Sequence, residues 1–396
     1  MDLLQNPFYI LKATPRDNRG RIQALADECA LLLDPNECDQ ARSDLIQLRK
    51  RLKAEVAWLP GLAPSRTKEI LSKLESSATS FLATRNLPAI AKTNLLSAVL
   101  SRLTINTADT VAKWILAMGH TYQDIVPEEV YAIVNEDRIV SGFQKVKDVS
   151  WVESEIEERR SHYRKVIKSA LDKLSSKELV KAVTVVADAA TNNGTQHAPT
   201  LIDDLVDAYA DEAKMFLDKE ASNIGILAEK LRVAADNKRP DSVLQAMVNK
   251  LIQVVENWDA VAQPIQLSLN TRGLNHAESC QVANLVRNTA LHLFNENGKL
   301  AFSQQLTKMI QNAFAEVSEV AEIVAKDADA LDDIAEQQTR IIEDSKNQSK
   351  EWRREITYEA DVGALFKNKL RISPEGIEWK KRTWDLDSIT RVRWGA

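Results

Sequence analysis

Across residues 200–236, apolar side chains recur at helical intervals: Ile202, Val206, Tyr209, Ala213, Phe216, Leu217, Ile224, Leu227 and Leu231. No proline interrupts the run. An α-helix gathers such positions into one stripe, whereas a strand would scatter them over both faces. So long a stripe needs an equally long partner to cover it. The chain is therefore constrained to pack long helices against one another.

Composition supports this. The 396 residues include only 11 glycines and 11 prolines, too few for the turns of a β-sandwich, barrel or Gly-looped nucleotide fold. Apolar residues make up 44% and charged residues 28%, enough for a packed core. The spacing predicts helices over 65–84, 88–104, 107–119, 127–136, 148–174, 176–191, 200–236, 240–260, 275–296, 299–314 and 316–345. In 148–174, Val152, Ile156, Tyr163, Val166, Ile167, Ala170 and Leu174 form the apolar stripe. Glu153, Glu155, Glu157, Glu158, Arg159 and Arg160 are expected on a solvated face. The expected fold is mainly α: an elongated multi-helix bundle or α-hairpin array, with a small helical head and a short C-terminal antiparallel β meander.

Net charge is −5, which gives no global drive toward nucleic acid, and no nucleic-acid partner is expected. The charge is uneven: the last thirty residues carry 8 basic and 4 acidic side chains. Cys29, Cys38 and Cys280 are too few and scattered for a disulfide framework, and none forms a C-x-x-C pair. A reduced, cytoplasmic setting is the expectation. The N-terminus lacks the basic region and apolar run of a signal peptide. No window is apolar enough over 18 residues to span a bilayer.

Residues 1–62 read as a helical module. Asn6-Pro7-Phe8-Tyr9-Ile10-Leu11 opens it. A helix is expected from Arg19 to Leu33, with Ile22, Leu25, Ala26, Cys29, Leu32 and Leu33 on its buried face. Asp34-Pro35-Asn36 stops that helix, and a second is expected from Cys38 to Leu59. This order, with Lys50-Arg51 late in the last helix, resembles a J-domain. The resemblance implies a partner of the Hsp70 chaperone type. The family's His-Pro-Asp tripeptide aligns with Asp34-Pro35-Asn36, in which only the proline survives. The preceding helix lacks the family's basic face, since Arg19 and Arg21 are followed by Asp27 and Glu28. The implied module is J-like in fold and degenerate in activity.

Residues 63–345 are expected to form the helical body. Within it, 275–314 bends at Asn295-Glu296-Asn297-Gly298-Lys299 and resembles a tetratricopeptide-type hairpin. That resemblance implies a surface for peptides or protein partners. Residues 346–357 are polar and read as a linker or fraying helix end.

Beyond them, in 358–396, the periodicity becomes two. Leu370 and Ile372 alternate with Arg371. Ser373-Pro374-Glu375-Gly376 makes a turn, and Ile377 and Trp379 alternate with Glu378. Trp384, Leu386, Ile389, Val392 and Trp394 follow. This run resembles the opening strands of a pleckstrin-homology or GRAM-like domain. Such a domain needs more strands, so the unit is expected either to be truncated or to pack on the body or a partner. Its cations are Lys367, Lys369, Arg371, Lys380, Lys381, Arg382, Arg391 and Arg393. They read as an anionic membrane or phosphate surface, or as edge strands guarded by charge.

Catalytic signatures are missing. There is no P-loop, dinucleotide fingerprint, H-E-x-x-H or G-x-S-x-G. His276 and Cys280, four apart, are the nearest approach to a metal pair. No metal or cofactor is expected. The function expected from these features is a non-enzymatic adaptor or scaffold binding other proteins, with oligomerisation open. The alternatives are an Hsp70-type co-chaperone and a peripheral membrane or anionic-ligand binder.

Overall fold

The computed structural model describes residues 1–76, 81–82, 86–104, 107–362 and 368–391. Within them the chain is mainly helical and ends in a small antiparallel sheet, as its periodicities predict.

The N-terminal module holds α1 (Pro7–Ile10), α2 (Arg19–Cys29), α3 (Pro35–Ile46) and α4 (Leu48–Val56). Asn6 caps α1 by accepting from the backbone N–H of Phe8, and its own amide donates to the carbonyl of Ala54 at 2.8 Å. Phe8 then packs on Trp58 with ring centroids 5.9 Å apart.

Two expectations are corrected here. The helix from Arg19 stops at Cys29, not Leu33. Pro35 drives Asp34 out of the α region, to ψ 120°, and Leu31 and Leu32 form a turn ahead of it. The single helix expected over Cys38–Leu59 is broken at Gln47, whose backbone is extended. Two fully buried guanidinium groups make the break tolerable. Arg51 donates to the carbonyl of Leu45 at 3.2 Å, and Arg138 to that of Leu48 at 3.3 Å.

The body comprises α5 (Pro64–Ser76), α6 (Ala89–Leu100), α7 (Ala108–Gln123), α8 (Pro127–Ser141), α9 (Ser150–Leu171), α10 (Ser176–Thr191), α11 (Thr200–Asp236), α12 (Asp241–Thr271), α13 (Ala277–Asn295), α14 (Leu300–Ala313) and α15 (Ser318–Glu355). The stripe of α11 is buried largely against α12; the indole N–H of Trp258 donates to the carbonyl of Leu217 at 3.0 Å, and the phenol of Tyr209 to that of Val261 at 2.9 Å. α12 runs through Pro264 and ends eleven residues beyond the expected 260. Tertiary packing outweighs the missing donor: Ile265 and Leu267 are both core residues.

The charged face assigned to 148–174 is not solvated throughout. Arg159 is buried, donating to Asn94 Oδ1 at 2.9 Å, and Arg160 bridges to Asp204 of α11 at 2.6 Å. Asn94 also accepts from Tyr163 at 2.7 Å and donates to the carbonyls of Val56 and Trp58, tying α6 to α9 and α4.

Of the two readings of the polar stretch, linker or helix end, the structure has the helix end: α15 continues to Glu355. Its second half is exposed. Glu, Lys, Gln and Arg sustain a helix by propensity without leaving an apolar stripe to read.

The sheet has four strands, β1 (Tyr358–Val362), β2 (Asn368–Ser373), β3 (Gly376–Trp379) and β4 (Arg382–Trp384), paired in sequence order. β1 does not stand out in the sequence. Leu386–Ser388, expected as strand, is a 3₁₀ turn. Gly376 sits at φ 139°, where a Cβ would lie 2.3 Å from the carbonyl oxygen of Trp384. Only glycine fits there. The contiguous hydrophobic core extends from Leu3 to Val324 and includes none of the sheet.

Candidate functional site

Asp34-Pro35-Asn36 forms the start of α3. Asp34 is its N-cap, accepting from the N–H of Asn36 at 2.9 Å, and Pro35 occupies the first helical position. All three residues are exposed. They are preceded by a feature the sequence did not reveal. The N–H groups of Leu32 and Leu33 both donate to the carbonyl of Cys29 at 2.9 Å. That tight turn pushes three consecutive leucines into solvent, with Leu31 85%, Leu32 80% and Leu33 50% exposed. Exposed acidic groups (Asp27, Glu28, Asp34 and Glu37) flank them in the chain; among the described residues, Glu28 alone of these four makes an ion pair, with Arg21 at 3.2 Å. The tip is thus an apolar point with an acidic rim. The Lys50-Arg51 pair does not add a basic face. Arg51 is buried against Glu55, and Lys50 pairs with Asp44 at 2.9 Å.

The C-terminal cations are divided by the sheet register. Glu359, Arg371 and Glu378 lie side by side across β1, β2 and β3 on one face. Lys369 and Arg371 share Glu359, at 3.9 and 3.6 Å. Their charge is largely answered locally. Lys380 and Lys381 form the two-residue β3–β4 turn, both in the left-handed region at φ 53° and 61°. That conformation suits Asn-Gly and strains lysine. Lys380 Nζ lies 4.5 Å from the ring centroid of Trp379, a cation–π contact. Arg382 stands opposite Trp379 on the other face. Lys380, Lys381 and Arg382 make no ion pair among the described residues.

That second face carries Tyr358, Leu370, Ile372, Ile377, Trp379 and Trp384. Tyr358 is 61% and Trp384 39% exposed. Arg391 is exposed and lies outside any strand. Lys367, Arg393, Val392 and Trp394 lie outside the described residues.

The His276/Cys280 pair does not converge. His276 Nδ1 is 2.6 Å from Ser279 Oγ and its ring stacks on Trp258, while Cys280 Sγ faces Glu319 Oε2 at 3.7 Å. Among the described residues, no three His, Cys, Asp or Glu side chains are grouped to hold a metal ion. No helix among them is long and apolar enough to cross a membrane. Comparison with known protein families, curated proteins and solved structures finds no match to this chain.

Proposed function

We propose that this chain is a non-enzymatic adaptor that engages a protein partner through the Leu31–Leu33 tip, with the helical body as scaffold. The observation that carries this reading is the exposure of three consecutive leucines beside four exposed carboxylates, three of which make no ion pair among the described residues. Exposed apolar clusters with a polar rim mark protein-binding surfaces, because their burial against a partner supplies affinity and the rim supplies selectivity. The acidic rim selects a partner with an apolar pocket bordered by cations. An Hsp70-type chaperone is one such candidate, since the tip immediately precedes Asp34-Pro35-Asn36, which aligns with the tripeptide of the J-domain it resembles.

The test places a photo-crosslinking side chain at Leu32 in the intact chain and irradiates it in its source-cell extract. A discrete adduct is expected, absent when the same group is placed at the exposed Met215. Identical adduct patterns from both positions would contradict the reading. So would steady turnover of a nucleotide, ester or phosphoester by the purified chain that a point substitution abolishes.

A second reading rests on the β3–β4 hairpin. Lys380, Lys381 and Arg382 carry unanswered positive charge beside the partly exposed Trp379 and Trp384. Cations flanking exposed indoles suit an anionic membrane surface.

A further inference from the structure

Cys29 and Cys38, separated by eight residues, meet in the fold. Cys29 ends α2, and Cys38 lies in the first turns of α3. Their sulfurs are 2.8 Å apart. A disulfide needs about 2.0 Å, with the two backbones already close. The chain is held in this approach by packing on both sides. Cys38 is fully buried in the core, and Cys29 Sγ also contacts the carbonyl of Ile10 at 3.4 Å. Cys280 is remote in sequence and faces Glu319.

We infer that Cys29 and Cys38 form a reversible intramolecular disulfide, an oxidative modification site that staples the turn bearing Leu31–Leu33 and is driven by a hydroperoxide. Cys29 is the partly exposed member of the pair, whereas Cys38 is enclosed. Burial and the contact with Cys29 push the Cys38 thiol up to about 11, so Cys38 does not react first. The Cys29 thiolate attacks one peroxide oxygen. An S–O bond forms, the O–O bond breaks and hydroxide leaves. Cys38 sulfur then attacks Cys29 sulfur. The S–S bond forms, the S–O bond breaks, and the oxygen departs with the Cys38 proton as water. Two thiols are oxidised and the peroxide is reduced to water. The inference stands apart from the proposed docking role, because it concerns the chemistry of the pair and needs no partner.

The test treats the full chain with hydrogen peroxide, then denatures it in a thiol-alkylating reagent. Before treatment all three cysteines are expected to be alkylated; afterwards only Cys280. The intact mass before alkylation should fall by two hydrogens, and a thiol reductant should restore all three sites. C280S should go from two alkylated cysteines to none, C29S should keep two, and C38S should gain oxygen at Cys29 without losing two hydrogens. Three alkylated cysteines after peroxide would overturn the inference. A link involving Cys280, or Cys29 accumulating as sulfinic acid without a link, would overturn it as well.

Discussion

Glu55 and Arg138, 83 residues apart, meet at 2.8 Å with both side chains fully buried. Arg51 donates to the other oxygen of Glu55 at 2.7 Å and stacks on Phe143, 3.7 Å from its ring centroid. This triad fastens the N-terminal module to α8 of the body. Removing its one anion leaves two buried guanidinium groups facing each other. Glu55→Gln is expected to cost about 3–5 kcal/mol, read by denaturant unfolding. Arg16→Ala, which breaks a pair between a half-exposed guanidinium and the buried Asp137, should cost clearly less, on the order of 1–2 kcal/mol. Equal losses would show that the triad is not the fastening.

Two buried titrations act on stability in opposite directions. Burial raises Asp259 to about 7, with nearby Glu316 adding to the effect and a hydrogen bond from Gln266 opposing it. The folded state therefore holds a proton that the unfolded state releases near pH 4. Stability from this group is full below pH 4 and is lost as pH rises to about 7. Asp259→Asn should remove that loss, gaining on the order of 2 kcal/mol at pH 8 after allowance for its partial exposure. His162 has the reverse sign. Burial, Arg159, the Met1 amine and Lys165 lower it to about 3, so stability falls as pH drops from about 6.5 toward 3. His162→Gln should flatten that limb. Thermal melts of both variants across pH 3–8 separate the two effects.

At Gly376 a side chain would collide with the Trp384 carbonyl oxygen. Gly376→Ala should disrupt the β3–β4 hairpin at a cost of about 2 kcal/mol or more. Trp379 and Trp384 fluorescence should shift while helical circular dichroism stays unchanged, because the hydrophobic core excludes the sheet.

For the membrane reading, flotation with vesicles containing phosphatidylserine is the measurement. Lys380→Glu with Lys381→Glu should weaken binding about tenfold or more at low salt. Uncharged phosphatidylcholine vesicles should not bind. Equal binding to both vesicle types would dismiss the reading.

Much of this fold was legible in the sequence, for a physical reason. The apolar stripes of α10 and α11 place their ends within a residue of the structure, with Ser175 capping α10 and a left-handed Asn192 ending it. Legibility failed where the chain departs from periodicity. The break at Gln47 depends on Arg51 and Arg138, side chains that look like surface charges in sequence. The second half of α15 has no stripe, and it is exposed among the described residues. The candidate site was half legible. Asp34-Pro35-Asn36 was found by its turn chemistry, but Leu32 and Leu33 fit the helical spacing and so were assigned to the core. Only the turn back to the Cys29 carbonyl shows them facing water. The cations of the sheet were all visible, yet their division between answered and unanswered charge depends on a register that pairs Arg371 with Glu359 and Glu378.

The central claim is that the leucine tip is a docking point, and affinity for the captured partner tests it most directly. Leu31→Ser with Leu32→Ser removes side chains that are 85% and 80% exposed, so folding stability should change by less than about 0.5 kcal/mol. Affinity for the protein crosslinked at Leu32, measured with purified components, should fall at least about tenfold, as expected when an apolar anchor is lost from an interface. Unchanged affinity, with the variant folded, would contradict the account.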